Sequence, residues 1–202
     1  MYKNIIFDMG NVLFWFEPKK YVEELGLTNE EEKHKVYIAT YHTVKNALFD
    51  QGFYDEQKMI DAICEDIGEG YRKHIEKLVL HWNDTLNPVE GMASLIKELK
   101  DKGYKIYLLS NAAYMQHEYW GRVPGSEYFD GTLISCDVKY IKPEPEIYEA
   151  LYDKFNIKPS ESFFIDDLVI NIFGAKKTGM DGYVFDGNVN RLRSEFKKLG
   201  IL

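Results

Sequence analysis

The chain has 202 residues, a formal net charge of −8, and a composition that is 45% hydrophobic and 15% aromatic. That length suits one domain or a domain carrying an insertion, and the apolar fraction is ample for a core. The acidic balance argues against non-specific nucleic-acid binding, which needs a basic footprint. A phosphorylated ligand remains compatible with it, because a local cation and a metal reverse the local field.

The first residues run into a short apolar stretch that meets Asp8 at once, which is neither a secretory signal nor a membrane span. No metal or redox spacing joins Cys64 and Cys136, the only cysteines. These features predict a cytoplasmic protein with two reduced thiols and no membrane partner.

Residues 3–7 read as a buried strand, and from about 18 to 82 the pattern turns helical. Glu30-Glu31-Glu32-Lys33 opens a charged helix, and residues 40–49 carry apolar side chains at helical spacing. Residues 55–67 place Met59, Ile60, Ile63 and Ile67 on one face, and residues 71–82 do the same with Ile75, Leu78, Val79 and Trp82. Alternation resumes after Asn87-Pro88: helix 89–102 stopped by Gly103, strand 104–109, helix 112–120, loop 121–125 and strand 132–135. Helix 145–155, strand 162–165, helix 169–178, strand 182–185 and helix 188–199 follow.

Strands alternating with helices predict an α/β fold, a Rossmann-like doubly wound parallel sheet. Residues 1–16 and 86–202 then form the core, and 17–85 an inserted α-helical cap. Ligands in such sheets bind beyond the carboxyl ends of the strands. Asp8, Ser110 and Asp166 each fall at such an end, so one mouth gathers them.

An ionised Asp directly after Ile5-Ile6-Phe7 is costly without a task or a partner. Asp8 is the candidate nucleophile, since a carboxylate can attack phosphorus and form an acyl phosphate; its structural alternative is to cap the next turn. Met9-Gly10-Asn11 can aim backbone N–H groups at a phosphate. Ser110 and Asn111 can donate to phosphoryl oxygens, or cap the helix that follows. Lys142 supplies a compact charge for phosphate and for holding Asp8 ionised; its alternative is a solvated surface, and Pro143 and Pro145 fix the backbone beside it. Asp166 and Asp167 repel one another unless a cation sits with them, and magnesium suits such a site; alternatively Asp167 caps the next helix. Asn171, one turn on, is placed to orient an acid.

With these residues in this order the chain resembles the haloacid dehalogenase superfamily of phosphatases. The matching stretches are Ile5-Ile6-Phe7-Asp8-Met9-Gly10-Asn11-Val12, Leu108-Leu109-Ser110-Asn111, Lys142-Pro143-Glu144-Pro145-Glu146-Ile147-Tyr148 and Phe163-Phe164-Ile165-Asp166-Asp167. Tyr128-Phe129-Asp130-Gly131 and the run from Gly174-Ala175 to Gly179-Met180 match as well. The resemblance implies a core with a helical cap, Asp8 as nucleophile, Ser110 and Lys142 on phosphate, and Mg2+ on Asp8, the Gly10 carbonyl and the Asp166–Asp167 pair. It implies a small phosphorylated substrate, and the Asp-Met-Gly-Asn form is similar to a branch that includes sugar-1-phosphate phosphatases. Monomer and dimer both remain open.

Gly10 departs from the pattern, because most family phosphatases carry there an Asp that serves as general acid and base. Three readings follow. The substrate can have a good leaving group, as an anomeric or acyl phosphate does, which is the favoured reading; the cap can supply a replacement from His42, Asp50 or Glu56; or the protein can bind phosphorylated ligands without turnover. Trp15 and Phe16 follow the motif closely enough to line the pocket or to pack between core and cap.

Overall fold

In the computed structural model, which describes residues 1–202, five strands form one parallel sheet in the order β3-β2-β1-β4-β5. They are β1 (Asn4–Phe7), β2 (Lys105–Ser110), β3 (Gly131–Ile134), β4 (Ser162–Asp166) and β5 (Asp181–Val184). Between β1 and β2 run α1 (Pro18–Glu23), α2 (Glu30–Tyr41), α3 (Val44–Asp50), α4 (Glu56–Ile67), α5 (Arg72–Leu80) and α6 (Met92–Asp101). The short helices α7 (Gln116–Tyr119) and α8 (Ser135–Val138) precede α9 (Pro145–Phe155), α10 (Val169–Lys177) and α11 (Val189–Lys198).

The central strand is apolar on both faces, as a parallel strand covered by helices must be. Alternation turns Ile5 and Phe7 towards α6 and α11, where Leu95, Leu99, Leu192 and Phe196 complete one cluster. Ile6 packs on the other face with Ile147, Leu151, Ile172 and Ala175 from α9 and α10. A third cluster, drawn wholly from residues between Val22 and Val79, gives α1 to α5 an apolar core of their own. An aromatic seam joins that block to the sheet: Phe16 meets Trp82 at 5.1 Å and Trp82 meets Tyr119 at 5.3 Å between ring centres. No helix is long and apolar enough to cross a membrane.

The sheet is what assembles the mouth. Strand order steps outward from β1 through β2 to β3 on one side and through β4 to β5 on the other, so it reverses beside β1. Phe7 is in register with Leu108 and with Ile165, so the next residue, Asp8, emerges between the ends of β2 and β4.

Three local expectations change. The helix foreseen over 112–120 shrinks to α7, because the Ala112 N–H donates to Ser135 Oγ at 2.9 Å instead of entering a helical turn. The apolar run 40–49 is two helices. α2 ends at Tyr41 and α3 begins at Val44, where Asn46 accepts from the Thr43 N–H at 3.1 Å and donates to the Thr40 carbonyl at 2.6 Å. Leu168, not Asp167, precedes the first turn of α10.

Asp130 shows how an acid at the sheet's surface ties strand to strand. It accepts from the Ile106 N–H at 2.9 Å and from the ammonium groups of Lys100 and Lys105 at 2.6 and 2.9 Å. Burial opposes ionisation, but these donors outweigh it and hold the carboxyl down at about 2. A folded-state value below the unfolded one contributes stability above pH about 4 that fades as the pH falls through about 2. Asp130→Asn is therefore expected to cost about 1–2 kcal/mol at pH 7. In urea titrations its deficit should narrow at pH 3; a deficit equal at both pH values would contradict this account.

Candidate active site

Lys142 organises the mouth. Its side chain is 2% exposed, and its ammonium donates to Asp8 Oδ1 at 2.6 Å, to Asp166 Oδ2 at 2.7 Å and to the Leu109 carbonyl at 3.1 Å. All three protons of the group are thereby used. Its backbone is clamped by Asn111, whose Oδ1 accepts from the Lys142 N–H at 2.8 Å and whose Nδ2 donates to the Lys142 carbonyl at 3.0 Å. Burial alone would lower the Lys142 pKa, but Asp166 and Asp8 together raise it, so the ammonium stays charged.

Asp166, fully buried, is saturated. Oδ1 accepts from the Leu168 N–H at 2.8 Å and Asn171 Nδ2 at 3.0 Å, and Oδ2 from Lys142 and again from Asn171 at 3.1 Å. Asp167 is less committed, taking one bond on Oδ2 from Asn11 Nδ2 at 3.1 Å. Asn11 can reach it because its backbone is left-handed, with φ 56°, and its Oδ1 is fixed by the Phe16 N–H at 3.1 Å. Burial raises the Asp167 pKa against that bond. Asp8 also sits above the usual carboxylate range, pushed up by burial and by Asp166 and pulled back by Lys142 and the Met9 N–H.

The three carboxylates offer oxygens within 4.8 Å of one another. Three acids against one ammonium leave an excess of two negative charges when all are ionised. An all-oxygen donor set with that excess fits a divalent hard cation such as magnesium.

Above this floor opens a cavity of about 460 Å³ between the sheet and the helical block. Asp8, Met9, Gly10, Ser110, Asn111, Lys142 and Asp167 all line it, so the structure brings these sequence candidates together. Asp166 does not line the cavity, but Lys142, which bonds it, does. Phe16 lines the cavity, whereas Trp15 packs against Gly187. Of the three groups weighed as substitutes for an acid at position 10, His42 and Asp50 line the cavity and Glu56 does not.

Four buried polar atoms on the walls have no hydrogen-bond partner: Thr40 Oγ1, Tyr41 OH, and both amide atoms of Gln116. Nothing in the sequence marks them, since Thr and Tyr late in a helical run and a lone Gln are ordinary surface choices. Asn11 had a visible signal, an Asn after Gly in a tight turn where left-handed backbone is tolerated.

The fold and this floor define a class of α/β protein with a buried ammonium shared between two carboxylates at the carboxyl ends of its strands. A family profile described as haloacid dehalogenase-like hydrolase matches residues 2–179. The chain belongs to the haloacid dehalogenase-like hydrolase family. It is 28% identical over 198 residues to a D-ribitol-5-phosphate phosphatase of Bacteroides thetaiotaomicron, covering 91% of each chain. It is 26% identical over 192 residues to a sesquiterpene phosphatase of Aspergillus oryzae, covering 90% of this chain and 88% of that one. Among solved structures it is similar to a family enzyme from Bacteroides thetaiotaomicron in complex with magnesium and inorganic phosphate. That likeness has a TM-score of 0.71 and 27% identity, over 93% of this chain and 96% of that one.

Proposed function

We propose that the protein is a magnesium-dependent phosphatase that hydrolyses a small phosphomonoester through an aspartyl-phosphate on Asp8. The observation that carries this reading is the buried Lys142 ammonium shared by Asp8 and Asp166 at the floor of the cavity. Asp8 attacks phosphorus, and the bond to the leaving oxygen breaks. Water then attacks the phosphorus of the acyl phosphate, and the bond to Asp8 breaks, releasing inorganic phosphate. The Ser110 hydroxyl, Asn111 and the backbone at Met9 and Gly10 receive the phosphoryl oxygens, and Lys142, whose protons are held by Asp8, Asp166 and the Leu109 carbonyl, supplies positive charge beside them. Asp8, the Gly10 carbonyl and the Asp166–Asp167 pair would hold Mg2+, which when bound supplies charge that offsets the phosphate. Asp167 is the readier donor of the pair, because both oxygens of Asp166 are already occupied.

Residues 17–85 serve as a cap over a core of 1–16 and 86–202, opening to admit substrate and closing to exclude bulk water. A sugar or polyol phosphate is the substrate class favoured by the walls. The unpartnered atoms of Thr40, Tyr41 and Gln116 are suited to substrate hydroxyls, and the rings of Phe16 and Trp82 to an apolar sugar face. The similarity to a D-ribitol-5-phosphate phosphatase supports the same class.

Phosphate release from polyol phosphates, anomeric and other sugar phosphates, nucleotides and an aryl phosphate, with magnesium and with chelator, tests this reading. Magnesium-dependent release, fastest on sugar or polyol phosphates, is expected. No release from any of them by folded protein would leave a module that binds phosphorylated ligands without turnover. Gln116→Met tests the walls: it removes a buried unpaired amide, whose cost is roughly 1–3 kcal/mol, so the melting temperature should rise. The KM for polyol phosphates should increase about 10-fold, the loss of about one hydrogen bond, with aryl phosphate unaffected. An unchanged KM would remove Gln116 from substrate recognition.

A further inference from the structure

Phosphoryl transfer to Asp8 leaves an oxygen that needs a proton, and the second step needs a base for water. Both steps belong to the phosphatase reading above, on which this inference rests. The floor has no group free for either task. Asp8 is the nucleophile, Lys142 has spent its three protons, Asp166 is saturated, and Asp167 belongs to the cation site. Gly10 has no side chain to offer.

We propose that Asp50, at the end of α3, is the general acid and base of this site. It lines the cavity with Asp8 and Ser110, and its carboxyl makes no bond to another protein group. Its main chain is tied down: Ser135 Oγ donates to the Asp50 carbonyl at 2.6 Å. The same oxygen accepts from the Ala112 N–H at 2.9 Å, so one fully buried hydroxyl ties Asp50 to the segment that leaves β2 just after Ser110. The following residues fix the approach. Gln51 Nε2 donates to the Lys139 carbonyl at 3.2 Å, and Lys139 Nζ donates to the Gly52 carbonyl at 2.7 Å. Gly52 must be glycine, since its φ is 67° and a Cβ there would lie 2.9 Å from the Cys136 carbonyl oxygen. The loop is thus seated on α8 and holds Asp50 at the wall of the cavity that Asp8 also lines.

Burial pushes the Asp50 carboxyl up to about 7 against the pull of Lys142, a value suited to giving and taking a proton near neutrality. The other candidates fit less well. Tyr41 and Tyr119 are pushed far above their ordinary range by burial, and His42 is exposed with its ring 4.7 Å from that of Tyr37.

In the first step Asp8 bonds to phosphorus, the phosphorus–oxygen bond to the leaving group breaks, and the Asp50 proton passes to that oxygen to give the alcohol. In the second, Asp50 takes a proton from water as the water oxygen bonds to phosphorus and the bond to Asp8 breaks. Inorganic phosphate leaves, and Asp50 is protonated again.

The test uses Asp50→Asn with magnesium on two substrates, a polyol phosphate and an aryl phosphate whose phenolate leaves without a proton. Turnover of the polyol phosphate should fall by about 10²–10⁴-fold. The aryl phosphate should give a rapid burst of one phenolate per enzyme, then slow turnover, because the first step proceeds and the second lacks its base. Gly10→Asp in the same chain should restore steady turnover. Position 10 accepts a side chain, since a Cβ there meets only Phe16 Cβ at 3.8 Å. Turnover of both substrates within a few-fold of wild type overturns the assignment. Slow turnover without a burst, and without rescue by Gly10→Asp, also overturns it. Wild-type protein inactive on both substrates, with or without magnesium, would instead sink the phosphatase reading, and this assignment with it.

Discussion

Asp8→Asn is expected to lower turnover by on the order of 10⁴–10⁶-fold, the scale that follows removal of an attacking group, and to leave the fold intact. Asn keeps the size of the side chain, and Lys142 retains Asp166 and the Leu109 carbonyl. The fold should gain if anything, because a carboxylate that burial pushes upward is a desolvation cost. A folded-state value above the unfolded one means that ionisation of Asp8 weakens the fold as pH rises through the carboxylate range. The melting temperature of Asp8→Asn should therefore match wild type at pH 5 and equal or exceed it at pH 8. A rate within 10-fold of wild type contradicts the role of Asp8 as nucleophile; a fall of many degrees in melting temperature would make its part structural.

Lys142→Met should do the reverse to stability while also abolishing turnover. Removing one partner of a buried ion pair costs about 3–5 kcal/mol, because the charges left behind have no counterpart. Here two carboxylates, Asp8 and Asp166, would face one another without the ammonium between them. The pair raises the pKa of Lys142, so the wild-type ammonium persists across pH 5–8 and its contribution is constant there. The variant's carboxyls gain protons as pH falls, so its deficit should be largest at pH 8 and smallest at pH 5. Magnesium should recover part of the loss by mass action on the folded state. Chemical denaturation at the two pH values, with and without magnesium, checks both statements. A deficit independent of pH would mean that the like charges are not what Lys142 restrains.

The sheet and the floor of the site were legible because their chemistry is local. A carboxylate straight after Ile5-Ile6-Phe7, and paired acids straight after Phe163-Phe164-Ile165, mark strand ends whatever the rest of the chain does. Parallel topology then brings those ends together. Tertiary partners overrode local pattern in the segment after Ser110, where Ser135 claims the Ala112 N–H and the foreseen helix begins only at Gln116. The same cause hid the duty of Asn111. Its amide closes on the backbone of Lys142, 31 residues away, and no spacing within either motif could reveal that. Asp50 was one of three open alternatives, because its place on the cavity wall depends on Gly52 and Lys139 docking against α8. Glu56, six residues further on in the first turn of α4, does not line the cavity.

Rapid acid quench of wild-type protein with a phosphomonoester labelled in its phosphoryl group, followed by mapping of the label, tests the central claim most directly. The account predicts label on the peptide that carries Asp8, formed no more slowly than phosphate is released and absent in Asp8→Asn. Phosphate release by the wild type with Asp8 unlabelled at every time, or with the label on another residue, would contradict it.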